Sequence, residues 1–107
     1  MITVRFFESG DRPTGFEIKG HALFSAHGTD IVCAAVSSAA IMAANTVSEV
    51  FGEAAQVKTG EGYLLLKEVK SEASAGVLSG LKLHMEQLAE QYPAHITLSE
   101  TGGNEDD

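Results

Sequence analysis

Cys33 is the only cysteine in the chain, and it follows His21 by twelve positions. One thiol cannot close an internal disulfide, so its chemistry lies in nucleophilic attack, in metal ligation or in plain packing. A lone cysteine with a histidine able to fold back onto it is the minimum constellation for thiol catalysis: the imidazole takes the thiol proton and later returns it to the leaving amine. A thiol at its ordinary pKa is only about 3% ionised at neutral pH, so such a nucleophile must be tuned by its surroundings. The start of a helix supplies this, because unpaired backbone N–H groups and the helix dipole favour negative charge there. The same N–H groups, around Cys33 and Ala34, form an oxyanion site for a tetrahedral intermediate.

Each of these residues also has a plainer reading. Cys33 stands among Val32, Ala34 and Ala35, where a cysteine serves as a small hydrophobe. His21 alone is a polar residue at a strand end. Asp30 is a helix N-cap, worth about 1 kcal/mol, or a group that orients His21, and the two roles are compatible. Ser37 lies one turn beyond Cys33 on the same helix face; its hydroxyl either reaches the site or returns to a backbone carbonyl. His27 makes a further pattern, with His21, Cys33 and Asp30 as conceivable zinc ligands, but the spacings match no familiar ligand pair. No metal and no cofactor are therefore expected. His84 and His95 are assigned no function.

The elements that must position these groups follow from periodicity. Ile2, Val4 and Phe6 alternate with Thr3, Arg5 and Phe7, Gly10 to Pro13 supply turn chemistry, and Phe16 and Ile18 resume the alternation. This is a β-hairpin that runs into Gly20 and His21. Residues 23–29 show no period and contain Gly28, so they read as a loop between base and nucleophile, a mobile lid that orders over substrate. Leu23 and Phe24 either touch the substrate's apolar residues or pack beneath the loop. From Ile31 to about Phe51 the chain is rich in alanine, free of proline and glycine, and apolar on most faces, which predicts a long, largely buried helix with Gly52 as its stop. Cys33 then falls in its first turn.

A strand at Val57–Thr59, a turn at Gly60–Gly62 and a strand from Tyr63 to Val69 come next, the last apolar on both faces as a covered central strand would be. A helix beginning near Ser71 places Val77, Leu78, Leu81, Met85, Leu88 and Tyr92 inward and Lys82, Glu86 and Glu90 outward, and ends before Pro93. His95 to Leu98 form a short final strand. The expected fold class is α+β: a mostly antiparallel sheet with two main helices, in the order ββαββα plus a short final strand. Residues 1–100 form one domain, and 101–107 an acidic, flexible tail. Helix placement on one face of the sheet or both is open at this level.

Seven basic against fifteen acidic residues give a formal charge of -8. Such a balance repels phosphate backbones and favours a basic protein segment as partner, and no membrane partner is expected. No unbroken apolar run of eighteen residues and no cleavable leader pattern are present, so a reducing cytoplasmic setting is expected.

Gly20-His21-Ala22, the Gly28 loop and Asp30-Ile31-Val32-Cys33-Ala34-Ala35-Val36-Ser37 resemble the signature of the Prp family of ribosomal-processing cysteine proteases, also called YsxB-like. The resemblance implies a Cys-His dyad with Cys33 as nucleophile and His21 as general base and acid, and with Asp30 and Ser37 at the family's other polar positions. It implies a cytoplasmic homodimer that removes a short N-terminal extension from protein 27 of the bacterial large ribosomal subunit, cutting after two phenylalanines and upstream of a basic arm. The charge of -8 argues against direct nucleic-acid contact and suggests action on free precursor rather than assembled particles. Two other readings stay open on the residues alone: a non-catalytic acidic module that binds a basic ribosomal-protein arm, and a small metal-binding protein.

Overall fold

The computed structural model of the chain describes residues 1–20 and 31–101. Strands β1 (Ile2–Ser9) and β2 (Arg12–Lys19) form the first hairpin, helix α1 spans Ile31–Asn45, strands β3 (Gln56–Gly60) and β4 (Tyr63–Lys67) form a second hairpin, helix α2 spans Glu72–Gln91, and β5 is Ile96–Thr101. Among the described residues the strands make one sheet in the order β3-β4-β2-β1-β5. Neighbours are antiparallel except β1 and β5, which are parallel. Three of the four pairings are antiparallel, so the sheet is mostly antiparallel as expected, with one parallel pair, and the α+β class and element order hold.

The parallel pair has a topological cause. A strand can join a parallel neighbour only through a long crossover, and the twenty residues of α2 provide one from β4 to β5. Helix α1 makes the other crossover, from β2 to β3. The two start from oppositely directed strands and travel in opposite directions across the sheet, so the common right-handed sense puts both helices on one face. Ile2, Val4, Phe6, Phe16, Ile18, Leu66 and Ile96 from that face pack with Val32, Val36, Ala40 and Val47 of the α1 region and Leu78, Leu81, Met85 and Leu88 of α2 in one core.

The α1 region departs from expectation in two ways. After Asn45 it widens into a π-helical turn, Thr46–Val50, in which the Phe51 N–H donates to the Thr46 carbonyl at 2.8 Å. Thr46 Oγ1 donates to the Met42 carbonyl at 2.8 Å, a side-chain competitor that loosens the regular ladder. Gly52, at φ +64°, then ends the helix as expected. The region is also less buried than its composition suggests: Ile41, Met42, Val50 and Phe51 are exposed. Ile31–Val50 is long and apolar enough, with mean hydropathy 1.7, to span a bilayer by composition, yet it buries Val32, Val36, Ala40, Ala43, Ala44 and Val47 and serves here as a core helix.

The second hairpin ends earlier than its apolar pattern implies. β4 stops at Lys67 because Glu68 takes φ +68°, and Val69 returns to donate its N–H to the Thr14 carbonyl at 3.0 Å. Among the described residues no helix covers the other face of β4; Leu65 and Phe7 are buried there, with Arg5 and Lys67 over the Phe7 ring. Lys82 points inward rather than to solvent, its ammonium held by Glu8 at 2.9 Å and by Glu100. Strand β5 runs through Thr101, the first residue assigned to the tail; residues 102–107 lie outside the described residues.

The two crossovers are tied together at the start of α2. Ser71 caps that helix by accepting from the Ser74 N–H at 3.0 Å. Glu53, in the connection after α1, accepts from the backbone N–H of Lys70 at 2.6 Å and of Ser71 at 3.1 Å and from the Ser71 hydroxyl at 2.7 Å. The buried Ser74 hydroxyl adds to the field on this carboxylate without making a well-formed hydrogen bond. Ser74, then the Lys70 and Ser71 donors, hold the Glu53 carboxyl down at about 2.

Candidate active site

Cys33 is the third residue of α1 and is half-buried. Its N–H belongs to the first turn, where the acceptor four residues back precedes the helix. Ala34, the other residue of the expected oxyanion site, is the fourth residue of α1. Ala34 itself is exposed. His21, Asp30, His27 and the loop read as a lid, including Leu23 and Phe24, lie outside the described residues.

The thiol borders a cleft of about 260 Å³. One wall is α1, through Cys33, Val36, Ser37, Ala40 and Ile41. The other is the end of the sheet: Ile2, Ile18 and Gly20, with Thr59, Gly60, Gly62, Tyr63 and Leu64 of the second hairpin. Ile18, Leu64 and Thr59 form one cross-strand row on the helix-facing side, so the floor is apolar for the same reason that the core is. Ser37 is exposed on the same helix row as Cys33, one turn on, and meets the cleft.

Gly20 joins this cleft to the segment that carries His21. Its N–H donates to the Gly62 carbonyl at 2.9 Å, which fastens the end of β2 to the turn of the second hairpin. Its φ is +93°, and a Cβ built there would stand 2.5 Å from the Met1 carbonyl oxygen, so only glycine fits. His21 follows this cleft-lining residue directly in the sequence.

Tyr63 also borders the cleft, but strand alternation sends its side chain to the sheet face away from the helices. Tyr63 donates its hydroxyl to Glu17 at 2.8 Å, and Arg5 donates to the other oxygen of the same carboxylate at 2.8 Å. The hydrogen bond to Glu17, then burial and the carboxylate's charge, push the Tyr63 hydroxyl above its ordinary pKa. Tyr63 is thus a donor locked to Glu17 and not a competing general acid. Among the described residues no three metal-ligating side chains come together; the zinc pattern considered above has three of its four members outside them.

The sequence pattern named Gly20 only as the neighbour of His21 and did not place Ile41, Thr59 or Leu64 at the site. Ile41 carried a signal, eight residues beyond Cys33 at helical spacing. Thr59 and Leu64 depend on which strands become neighbours.

The family model for cysteine protease Prp matches residues 1–97. A search of curated proteins finds no significant match. Among solved structures, the fold is similar to the ribosomal processing protease Prp from S. aureus with a covalently linked product peptide, at a TM-score of 0.87 and 23% identity over 94% of this chain and 100% of that one. The same S. aureus protease with a substrate peptide gives 0.82 and 22% over 94% and 100%. SMU.848 from Streptococcus mutans gives 0.77 and 24% over 95% of each chain.

Proposed function

The chain belongs to the cysteine protease Prp family and is a cysteine-type peptidase, and on that premise we propose that it processes a ribosomal protein in the cytoplasm through a Cys33–His21 dyad. In this reading Cys33 Sγ, its proton passed to His21, attacks the scissile carbonyl. The developing oxyanion draws on N–H groups of the first helical turn, at Cys33 and Ala34. His21 gives its proton to the departing amine, and water then releases the acid from the thioester and restores the thiol. Asp30 supports the site as cap or imidazole partner, and Ser37 as a hydroxyl along the substrate path.

The observation that carries this reading is the cleft, which brings the nucleophile-bearing turn and the residue before His21 to one apolar trough. Such a trough suits large apolar side chains next to the cut bond, in keeping with removal of the N-terminal extension of protein 27 of the large ribosomal subunit after paired phenylalanines. The charge of -8 suits the basic arm that follows. A homodimer is part of the proposal: Met42 at 62% exposure, Val50 at 74%, and the exposed Ile41 and Phe51, on α1 and the π-turn that follows it, are apolar residues that a second copy would cover.

The test is incubation with a peptide bearing two phenylalanines before a small residue and a basic segment, read by mass. Cleavage after the second phenylalanine is expected, with loss of at least a thousandfold in Cys33→Ala and His21→Ala. Undiminished cleavage by Cys33→Ala would end the thiol mechanism. Cleavage of unrelated peptides at equal rate would end the substrate assignment alone.

A further inference from the structure

Strand alternation sends Arg5, Lys19, Lys58 and Lys67 to the sheet face opposite the helices, since their cross-strand partners Glu17, Tyr63 and Leu65 share that face and the core residues share the other. These are four of the chain's seven basic residues. The carboxylate of Glu17 is the one acid that alternation places among them, and Arg5 and Tyr63 already hold it. Among the described residues, four strand cations against one strand acid give this face +3 in a chain of -8. Asp11, Glu61 and Glu68 stand at the rim, in or beyond the turns.

The cations are held in a defined pattern. The Arg5 guanidinium lies 4.9 Å and the Lys67 ammonium 5.3 Å from the centre of the Phe7 ring, a cation–π arrangement that fixes their heads above the sheet. Lys19 and Lys58 are exposed. Sheet geometry separates the rows by about 5 to 7 Å, a scale comparable with phosphate spacing along an extended strand. Thr3 and Ser99 bring exposed hydroxyls to the same face on β1 and β5, of the kind that donate to phosphate oxygens.

We propose that this helix-free face binds the phosphate backbone of a single nucleic-acid strand, at a site separate from the peptidase cleft. The net charge argues against phosphate only as an average over the molecule; the fold sorts most cations to one side. A folded acidic protein broad enough to cover the face also meets the carboxylates at its rim. A single strand is narrow enough to follow the cationic rows.

The experiment measures the full chain against labelled oligouridine and oligothymidine of about twelve nucleotides, by anisotropy, across roughly 20 to 200 mM salt. Three to four phosphate contacts predict that log affinity falls with log salt with a slope of about -2 to -3. The Lys58→Gln, Lys67→Gln double variant should bind at least tenfold more weakly at low salt, with peptide cleavage unchanged at temperatures where it is folded. Lys19→Gln, a single exposed change, should weaken binding alone. Equal binding of both oligonucleotides supports backbone recognition, and preference for oligouridine supports it with the 2′-hydroxyl also read. A slope near zero, binding indifferent to these substitutions, or equally tight binding of a polyglutamate of the same charge would overturn the proposal. The cleavage assay on the same samples keeps this outcome distinct from failure of the peptidase reading.

Discussion

Replacing Gly20 by alanine tests whether the backbone between β2 and the His21 segment positions the active site. A φ of +93° with a side chain costs about 1–2 kcal/mol. The new methyl would also stand 2.5 Å from the Met1 carbonyl, closer than real contacts allow, and relieving it displaces the start of β1 or the end of β2 at about 1–3 kcal/mol. Alanine restricts the unfolded chain and returns about 0.4–1 kcal/mol. The net is a loss of about 2–3 kcal/mol, or about 10–15 °C in melting temperature at this chain length. Because the displaced residue lines the cleft and carries His21, kcat/KM for peptide cleavage should fall at least tenfold even at temperatures where the variant is fully folded. Gly52→Ala is the matched control: its φ is +64°, but nothing lies within 4 Å of the added Cβ. It should cost about 1 kcal/mol and leave kcat/KM intact. Thermal melts and initial rates on both variants decide the matter. Equal losses of stability with equal activity would refute the assigned role of the Met1 contact and of the Gly20 hinge.

Other consequences can be measured alongside. Glu53→Gln should destabilise by about 1 kcal/mol at neutral pH, a figure discounted heavily for solvent screening of this carboxyl. Its folded pKa, about 2, lies below the ordinary 4.5, so the wild-type advantage is present above about 4.5 and vanishes as pH falls toward 2; urea unfolding from pH 7 downward should show the two proteins converge. Tyr63→Phe removes the second donor to the buried Glu17 and should cost about 1–2 kcal/mol, with a smaller loss when Glu17→Gln is already present. Lys82→Met leaves Glu8, whose side chain is 15% exposed, without its partner and should cost about 1–3 kcal/mol. The Lys82 pKa is raised by Glu100 and then Glu8, so the contribution is whole below the ordinary lysine value and is lost only as pH rises through the folded one.

The first hairpin, both helices and the place of Cys33 were legible because each depends on local signals. Alternation from Ile2 to Phe6 fixes a strand face, Ser71 and Pro93 bracket α2, and a glycine-free stretch from Ile31 requires a helix whose first turn contains the thiol. Pairing was not legible in the same way. The parallel union of β5 with β1 depends on where a crossover lands, and nothing in the residues of β5 distinguishes a parallel edge from an antiparallel one. Half of the cleft wall follows from that arrangement: Thr59 and Leu64 matter only because β4 lies beside β2. The π-turn turned on one hydroxyl, Thr46 Oγ1, competing for the Met42 carbonyl.

Charge shows the same division between local and assembled information. The sum of -8 is read directly from composition and predicts a basic partner. It cannot say where the cations go, because alternation assigns each basic residue to a face only once register is set. Arg5 and Lys19 belong to strands visible in the sequence, but their convergence with Lys58 and Lys67 requires β2 to sit between β1 and β4. The same register that completes the apolar cleft on one side of the sheet therefore builds the cationic surface on the other. A substitution that slipped β4 by one residue would exchange Leu64 and Leu66 with Leu65 and Lys67 across the sheet. Such a slip would abolish peptide cleavage and nucleic-acid binding together, whereas Lys58→Gln with Lys67→Gln should remove only the second.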